Sequence, residues 1–325
     1  MSDPTDRLAT DAPRRLLRLL NNGRARSEGD LAAHIDRPRA EVIALLGQLQ
    51  GLGVDLAREG PRWRLRAPRD WLDPERLRQQ LRVAGWRLDT LAIPFSVEST
   101  NDSVRALQGP WAVCLAEHQS RGRGRRGRAW TSPPGGNLYL SLRRDGPSGA
   151  HRPGALTLSL GLAAAEALRA ATGVAVGVKW PNDLVVADRK LGGLLVEQIG
   201  ATCQIVGLGL NISLPAEAGE SIHQPWIDLV RASGREAWDR HRLAAGLLDA
   251  LGPVLAEPVT GLDETARMRW SERDIGYGQP VRILQRTETL TGIAWGVTET
   301  GALRLQTAHG WQTIEYGEVS LRLAP

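Results

Sequence analysis

The chain has 325 residues and a mass of 35.3 kDa, with 42% hydrophobic residues and a formal charge of +5. That length suits two or three domains. No apolar run approaches the ~20 residues of a membrane-crossing helix, and the opening Met1-Ser2-Asp3-Pro4-Thr5-Asp6 lacks the charged-then-apolar order of a secretion signal.

Cys114 and Cys203 sit inside apolar runs and are expected to be buried thiols of a cytoplasmic protein, not a disulfide or a metal site. The basic balance suits an anionic partner, with nucleotide, nucleic acid and plain solubility all compatible. Of 41 basic residues only two are lysines, Lys179 and Lys190. A lysine is a compact charge on a flexible stem, whereas arginine is a planar fork that is never neutral. The pair therefore marks positions where a guanidinium is a poor substitute, unless codon bias left them by chance.

Residues 1–67 read as three helices and a hairpin. The first helix runs from Pro13 to Leu20 and stops at Asn21-Asn22-Gly23. The second starts at Ser27, with Asp30 completing a capping pair. The third opens near Pro38 and ends at Gly51–Gly53, with Val42, Leu45, Leu46, Leu49 and Leu52 at helical spacing. Val54–Ala57 and Trp63–Leu65 are extended runs joined by a Gly-Pro turn. This is the order of a winged helix-turn-helix, and a purely structural helical module fits it too. Residues 1–70 hold 13 Arg, no Lys and 10 Asp plus Glu, a net of +3. Arg37, Arg39, Arg58, Arg62 and Arg64 are candidates for phosphate contacts. The third helix offers few side chains able to read base edges, so sequence-specific DNA binding is expected to be weak or absent.

Residues 68–85, with Pro74 and several charges, read as a linker. Residues 86–274 form the large middle segment. Strand-like runs at Trp111–Ala116, Asn137–Leu142, Val174–Trp180, Leu191–Gln198 and Gln204–Leu210 mix with helices at Ala155–Ala171, Glu236–Leu251 and Glu264–Trp270. The pattern predicts an α+β fold with a mixed sheet covered by helices. In residues 275–325, five short strands lie between Gly-rich turns: Pro280–Leu284, Leu290–Val297, Ala302–Thr307, Trp311–Ile314 and Val319–Leu323. They suggest a small β-barrel.

Five motifs carry chemistry. The loop Gly122-Arg123-Gly124-Arg125-Arg126-Gly127-Arg128-Ala129-Trp130 follows a strand and interleaves arginines with glycines, which allow close approach of backbone to an anion. It lacks the Gly-Lys-Ser/Thr ending of a phosphate-binding P-loop, and a nonspecific RNA-binding segment would look similar. In Lys179-Trp180-Pro181-Asn182-Asp183, Pro181 ends a strand and leaves Lys179, Asn182 and Asp183 displayed together. Lys190 follows a tight turn and precedes Leu191-Gly192-Gly193. Gly207-Leu208-Gly209-Leu210-Asn211 brings a small-residue backbone to Asn211 at the strand end. Ser99-Thr100-Asn101 is suited to cap a helix from Asp102 to Leu107.

Taken in order, Ser99-Thr100-Asn101, Gln119 with the Gly122–Trp130 loop, Lys179–Asp183, Lys190–Gly193 and Gly207–Asn211 resemble the bifunctional biotin–protein ligases, as does the ending Gly317-Glu318-Val319-Ser320-Leu321-Arg322. The resemblance covers nearly the whole chain. It implies a winged helix-turn-helix, a catalytic mixed-sheet domain related to class II aminoacyl-tRNA synthetases, and an SH3-like barrel. The implied reaction joins biotin to ATP as biotinyl-5′-adenylate, then passes biotin to a lysine of the biotin carboxyl carrier protein of acetyl-CoA carboxylase. Operator DNA and a second copy of the chain are further implied partners, and Mg2+ an implied cofactor.

By the same resemblance Ser99, Thr100 and Gln119 hold the ureido ring, Arg123 and Arg125 clamp biotin and phosphate, and Asn101 and Gly124 also belong to the biotin site. Lys190 meets the biotin carboxylate and the α-phosphate. Lys179 serves the phosphates, and Asn182 stands near the metal. Trp130 and Asn211 receive adenine, and Arg322 reaches the nucleotide. Asp183 is a candidate to orient or deprotonate the incoming lysine; a structural capping carboxylate is the other reading. A lipoate–protein ligase, and a ligand-sensing DNA-binding regulator without ligase activity, are the competing functions. An enzyme that makes a lysine-reactive adenylate also gains from offering few lysines of its own.

Overall fold

The computed structural model of the chain describes residues 11–83, 87–146, 151–200, 202–284, 289–315 and 320–323. At the N-terminal end, α1 (Ala12–Leu20), α2 (Glu28–Ile35) and α3 (Arg39–Gly51) pack on a three-stranded sheet. Its strands are β1 (Arg26–Ser27), β2 (Leu56–Glu59) and β3 (Arg62–Leu65), in the order β1-β3-β2. Ser27 Oγ accepts the Asp30 amide at 3.0 Å, so the expected cap sets the start of α2. Leu16, Leu17, Leu20, Leu31, Val42, Leu46, Leu49 and Leu65 are fully buried between these elements.

Glu28 is buried with them. It accepts from Arg39 at 2.7 and 3.0 Å, from Arg58 at 3.1 Å and from Trp63 Nε1 at 3.2 Å. The hydrogen bonds from Arg39 and Trp63 hold its carboxyl below the usual carboxylate range. Arg39 and Arg58 both pair with this internal carboxylate, while their side chains stay more than half exposed. Arg62 donates to the Ala25 carbonyl at 3.0 Å, and Arg37 is exposed.

The stretch read as a linker carries α4 (Pro74–Val83). Trp71, Leu72, Leu77 and Leu81 are buried, because the run contains enough apolar residues to dock. Here Arg240 and Glu117, 3% and 2% exposed, form a bidentate pair at 2.9 and 2.9 Å. Glu117 also accepts the Leu72 amide, and Arg240 donates to the carbonyls of Asp70 and Asn137. Asp70, Asp239 and His241 cluster beside the pair. Arg76 already neutralises both carboxylates, at 2.6 Å each. His241 Nε2 accepts the Asp73 amide at 2.7 Å, which places the ring proton on Nδ1, toward the acids. Such a nitrogen has no lone pair to give a metal.

The middle segment is built on a seven-stranded sheet in the order β4-β6-β8-β12-β11-β10-β9. Its strands are β4 (Thr90–Ala92), β6 (Trp111–Ala116), β8 (Leu138–Asp145), β9 (Val176–Lys179), β10 (Asp183–Val186), β11 (Arg189–Ile199) and β12 (Cys203–Leu210). Only β4–β6 is parallel. A separate parallel pair joins β5 (Ser96–Val97) to β7 (His118–Gln119). One face of the sheet, including Leu138, Leu140, Val178, Leu184, Leu194, Leu208 and Leu210, is buried in a continuous core with helices α6 (Pro153–Thr172) and α9 (Arg240–Ala256). The alternation of these apolar positions is the period-two pattern of a half-covered strand. Shorter helices α5 (Thr100–Arg105), α7 (Ala216–Gly219), α8 (Leu229–Ser233) and α10 (Glu264–Arg273) complete the segment. Helix α5 starts two residues earlier than expected, and Ser99 makes no side-chain cap.

The C-terminal sheet has the order β16-β15-β14-β13-β17 and is antiparallel throughout. Its strands are β13 (Pro280–Leu284), β14 (Thr289–Val297), β15 (Leu303–Thr307), β16 (Gly310–Ile314) and β17 (Ser320–Leu323). Val281, Ile283, Leu303 and Leu305 belong to the same apolar core as the middle sheet. Trp180 Nε1 donates to the Gly301 carbonyl at 3.1 Å, which anchors the Lys179–Asp183 turn to this segment.

Cys114 is buried, and desolvation pushes its thiol up to about 12. Cys203 is only half-buried, contrary to expectation, because it opens a strand at the sheet's rim. No described helix is long and apolar enough to cross a membrane.

Candidate active site

The open face of the seven-stranded sheet carries the site. Lys179 is paired with Asp183, Asp183 with Gly193, Gly193 with Gly209, and Gly209 with Tyr139. Directly paired residues share a face, so one row crosses five strands and mixes charge with bare backbone. A second row pairs Leu195 with Gly207 and Gly207 with Ser141. The glycines leave a trough that larger side chains fill from above. A Cβ on Gly207 would run into the Asn101 amide, and one on Gly209 into the Trp130 indole. The resulting cavity is about 570 Å³ and is lined by residues of all five motifs.

The Lys179–Asp183 motif is the turn between β9 and β10, with the Trp180–Pro181 peptide cis. Lys190 reaches the same face through a register shift. Leu184 pairs with Gly192 but Val185 pairs with Lys190, so β11 carries one extra residue. Strict alternation would put Lys190 and Gly193 on opposite faces; the bulge reverses it. A Cβ on Gly193 would lie 3.4 Å from both Lys190 Cε and Asp183 Oδ1. Lys190 Nζ stands 2.7 Å from Asp183 Oδ1, and Lys179 Nζ is 3.9 Å from Asp183 Oδ2. The Lys190 ammonium also lies 5.3 Å from the Trp130 ring centroid, a cation–π distance. Its backbone is held by Pro225 and Ile227, at 2.9 Å each.

At the other end of the trough the groups are neutral. Gln119 Oε1 accepts the Thr100 amide at 2.9 Å and its hydroxyl at 3.1 Å, while Gln119 Nε2 donates to Ser132 Oγ at 3.1 Å. Ser141 Oγ donates within reach of Thr100 Oγ1 at 2.8 Å and Asn101 Oδ1 at 2.6 Å. Ser99, Thr100 and Asn101 are all buried.

The glycine–arginine loop folds back on itself above the trough. Gly124 N donates to Arg128 O and Trp130 N to Gly122 O, at 2.8 Å each. Arg126 and Gly127 take positive φ at its tip, 61° and 68°. Arg123 forms a bidentate pair with Asp102 at 2.6 and 2.8 Å, and Glu197 lies 3.8 Å away. The hydrogen bond from Arg123 holds the Asp102 carboxyl below its ordinary range. Arg125 and Gly124 are half-buried on the cavity wall.

Of the predicted site residues, Ser99, Thr100, Asn101, Gln119, Arg123, Gly124, Arg125, Trp130, Asn182, Asp183, Lys190 and Asn211 line this one cavity. Lys179 adjoins it through Asp183. Asn182 donates to the Leu194 carbonyl at 2.6 Å, which holds its amide against β11. Asn211 donates to the Ile227 carbonyl at 3.3 Å. Asp183 caps no helix; it starts a strand and faces both lysines. Arg322 pairs with Arg282 in the C-terminal sheet, and its side chain lies outside the described residues, as do residues 317–319.

Asp102, Ser132, Ser141 and Glu197 were not anticipated. Asp102 adjoins the Ser-Thr-Asn triplet and was legible as a carboxylate near an arginine loop. The other three hold partners 13 to 96 positions away, a distance no local pattern records.

The profile of the biotin/lipoate A/B protein ligase family matches residues 95–211, the segment that holds this trough, and that of the biotin protein ligase C terminal domain matches residues 276–322. The chain belongs to the biotin/lipoate A/B protein ligase family. It is 35% identical over 328 residues to the bifunctional ligase/repressor BirA of Salmonella typhimurium, covering 97% of this chain and 99% of that protein. Against the biotin–[acetyl-CoA-carboxylase] ligase of Mycobacterium tuberculosis it is 33% identical, covering 79% and 97%. Among solved structures it is similar to a biotin protein ligase from Aquifex aeolicus in complex with biotin and ATP. That match has a TM-score of 0.62 and 27% identity, over 73% of this chain and 100% of the other.

Proposed function

We propose that the chain is a biotin–protein ligase that makes biotinyl-5′-adenylate from biotin and ATP and transfers biotin to a lysine of a biotin carboxyl carrier protein. One observation carries this reading. A neutral hydrogen-bonding end (buried Thr100 and Asn101 with half-buried Gln119) and a cationic end (Lys190 and Arg125, with Lys179 adjoining) share one trough floored by glycines. An uncharged ureido ring suits the first end. A carboxylate and a triphosphate brought together need the second, since fixed cations offset the like-charge repulsion as charge moves in the transition state.

In the first step a biotin carboxylate oxygen attacks the α-phosphorus and pyrophosphate leaves. Lys190 stands where a compact, fixed charge meets the reacting oxygen, with Lys179 toward the phosphates. Arg123 and Arg125 close the glycine loop over the anion, and the Trp130 indole and the Asn211 side chain receive the adenine. Lys190 is held between Asp183 and the Trp130 face, so little of its side-chain freedom is left to lose on binding.

The protein groups fit a magnesium ion held mainly by the substrate's own phosphates. Asn182 keeps its carbonyl oxygen available while its NH2 is anchored, and the neighbouring Asp183 carboxylate is shared with the lysines. A bound ion would supply neutralisation of the pyrophosphate charge. In the second step the carrier's ε-amine attacks the acyl carbon and AMP leaves. Asp183 is the carboxylate placed to orient that amine, which must be neutral to attack.

The N-terminal unit, residues 1–67, serves as a winged helix-turn-helix, and residues 275–325 as an SH3-like barrel bringing Arg322 toward the nucleotide. Operator DNA, a second copy of the chain and a cytoplasmic location accompany this reading. Leu45 and Leu46 of α3 are buried, which leaves Ala44 and Gly47 exposed on a surface meant to read bases. Sequence-specific repression is therefore expected to be weak.

The test mixes protein, biotin, ATP and a carrier domain, with lipoate in a parallel tube. Biotin transfer is expected, with Lys190→Ala lowering adenylate formation by about 10²–10³-fold. Activation of lipoate but not biotin, or an unimpaired Lys190→Ala, would refute it.

A further inference from the structure

Within the glycine–arginine loop, Arg123 and Ala129 face each other across an antiparallel bridge, and the Gly124 and Trp130 amides close the hairpin. Its root is tightly packed: a Cβ on Gly122 would lie 2.7 Å from the Trp130 carbonyl oxygen and 2.8 Å from Ser132 Oγ. The Arg123 guanidinium leaves the loop and pairs with Asp102 through two hydrogen bonds, 2.6 and 2.8 Å. Glu197 Oε1 lies 3.8 Å from the same guanidinium. Its Oε2 accepts from Asn101 Nδ2 at 3.0 Å and stands 3.7 Å from Arg105. Asp102 and Asn101 are neighbours on α5, the helix that also carries Thr100, and Glu197 belongs to β11, which carries Lys190. The charges of Arg123 and Arg105 are thus cancelled by those of Asp102 and Glu197. Arg123 has little field left to offer an anion, but it ties the loop to a helix and a strand of the site.

We infer that Asp102, backed by Glu197, is a positioning residue that latches the glycine–arginine loop over the trough through Arg123, setting the loop backbone before substrate arrives. What the loop covers rests on the ligase reading above. Arg123 then acts on the reaction through the loop and not by touching the reacting atoms. Glycine-rich backbone is hard to order, because glycine has the most conformational freedom to lose. A bidentate, charge-assisted pair supplies that order in advance. A ligand that needs the closed loop binds in proportion to the closed fraction. Both partners are over a third exposed, 36% for Arg123 and 41% for Asp102, which limits the latch to about 3–10-fold in the closing equilibrium. The same helix holds the neutral end of the trough, so closing the loop and fixing Thr100 and Asn101 are coupled through α5.

The experiment follows hydrogen exchange of residues 122–130 by mass spectrometry in the full-length protein without ligand. The samples are wild type, Asp102→Asn, Arg123→Gln and the double variant. Exchange in wild type is expected to be slower than in a free peptide of the same sequence. Each single change should speed it about 3–10-fold and the double change no further, since both remove one interaction. High salt should shrink the difference, because the pair is partly exposed. With biotin, ATP and a carrier domain, KM for biotin should rise by the same factor with kcat unchanged, the mark of an interaction kept from the bound state to the transition state. A wild-type loop that exchanges as fast as the peptide, an Asp102→Asn loop that exchanges like wild type, or single effects that add would overturn the inference. So would a loss of kcat in Arg123→Gln that Asp102→Asn does not share, because Arg123 would then touch the reacting groups. If the wild type transfers no biotin, the ligase reading falls while the exchange comparison still decides the latch.

Discussion

Replacing Glu117 by alanine is expected to cost far more stability than its place outside the trough suggests. Its carboxylate is 2% exposed, accepts two guanidinium N–H groups of Arg240 at 2.9 Å and receives the Leu72 amide. Alanine would leave the Arg240 cation buried with only the Asp70 and Asn137 carbonyls for partners. Breaking one side of a buried pair costs about 3–5 kcal/mol because the remaining charge is stranded. At roughly 2–4 °C per kcal/mol for a domain of this size, the melting midpoint should fall by about 6–20 °C.

The control is Glu117→Met/Arg240→Met, which removes both charges. It should cost only about 1–3 kcal/mol, chiefly the orphaned Leu72 amide. The assay is scanning calorimetry of the wild type, both single variants and the double. A loss under about 2 °C in Glu117→Ala would refute the reasoning. So would a double variant as unstable as the two singles added, since partners in one network should not add.

Asp274 is buried, and desolvation raises its carboxyl to about 6, although the Gly276 amide donates to it at 2.9 Å. A raised acid stabilises the fold fully below its unfolded value near ~4 and loses that contribution as pH climbs through about 6, a swing of about 3 kcal/mol. Asp274→Asn should therefore melt increasingly above wild type between pH 4 and 7; parallel melting curves across that range would refute the assignment. Gly209→Ala would push a methyl into the Trp130 indole. Displacing the indole at about 1–3 kcal/mol would weaken ATP affinity about 5–150-fold. An unchanged KM for ATP would show that Trp130 does not receive the nucleotide.

The elements themselves were largely legible. The cap at Ser27, the helix start near Pro38, the Ala/Leu helix expected at Ala155–Ala171 and the strand runs after Tyr277 follow from local preferences that need no partner. The linker misread has the opposite cause. Pro74 and the charges around it looked like solvent-facing chain, yet Trp71, Leu72, Leu77 and Leu81 found an apolar surface supplied by distant segments. The pairing of Arg39 was equally out of reach, since its carboxylate partner lies 11 residues away on another helix.

The sequence by itself determined which chemistry was on offer: two lysines among 41 cations, each beside a turn, and glycine-rich runs close to them in the chain. Only the tertiary structure decided that these belong to one place. The register of β9, β10, β11 and β12 sets Lys179, Asp183, Gly193 and Gly209 in a single row, and one extra residue in β11 turns Lys190 onto the same face. Pairing register depends on which strands become neighbours, a long-range choice made by the buried face beneath, so no local pattern could state that one carboxylate would hold both lysines.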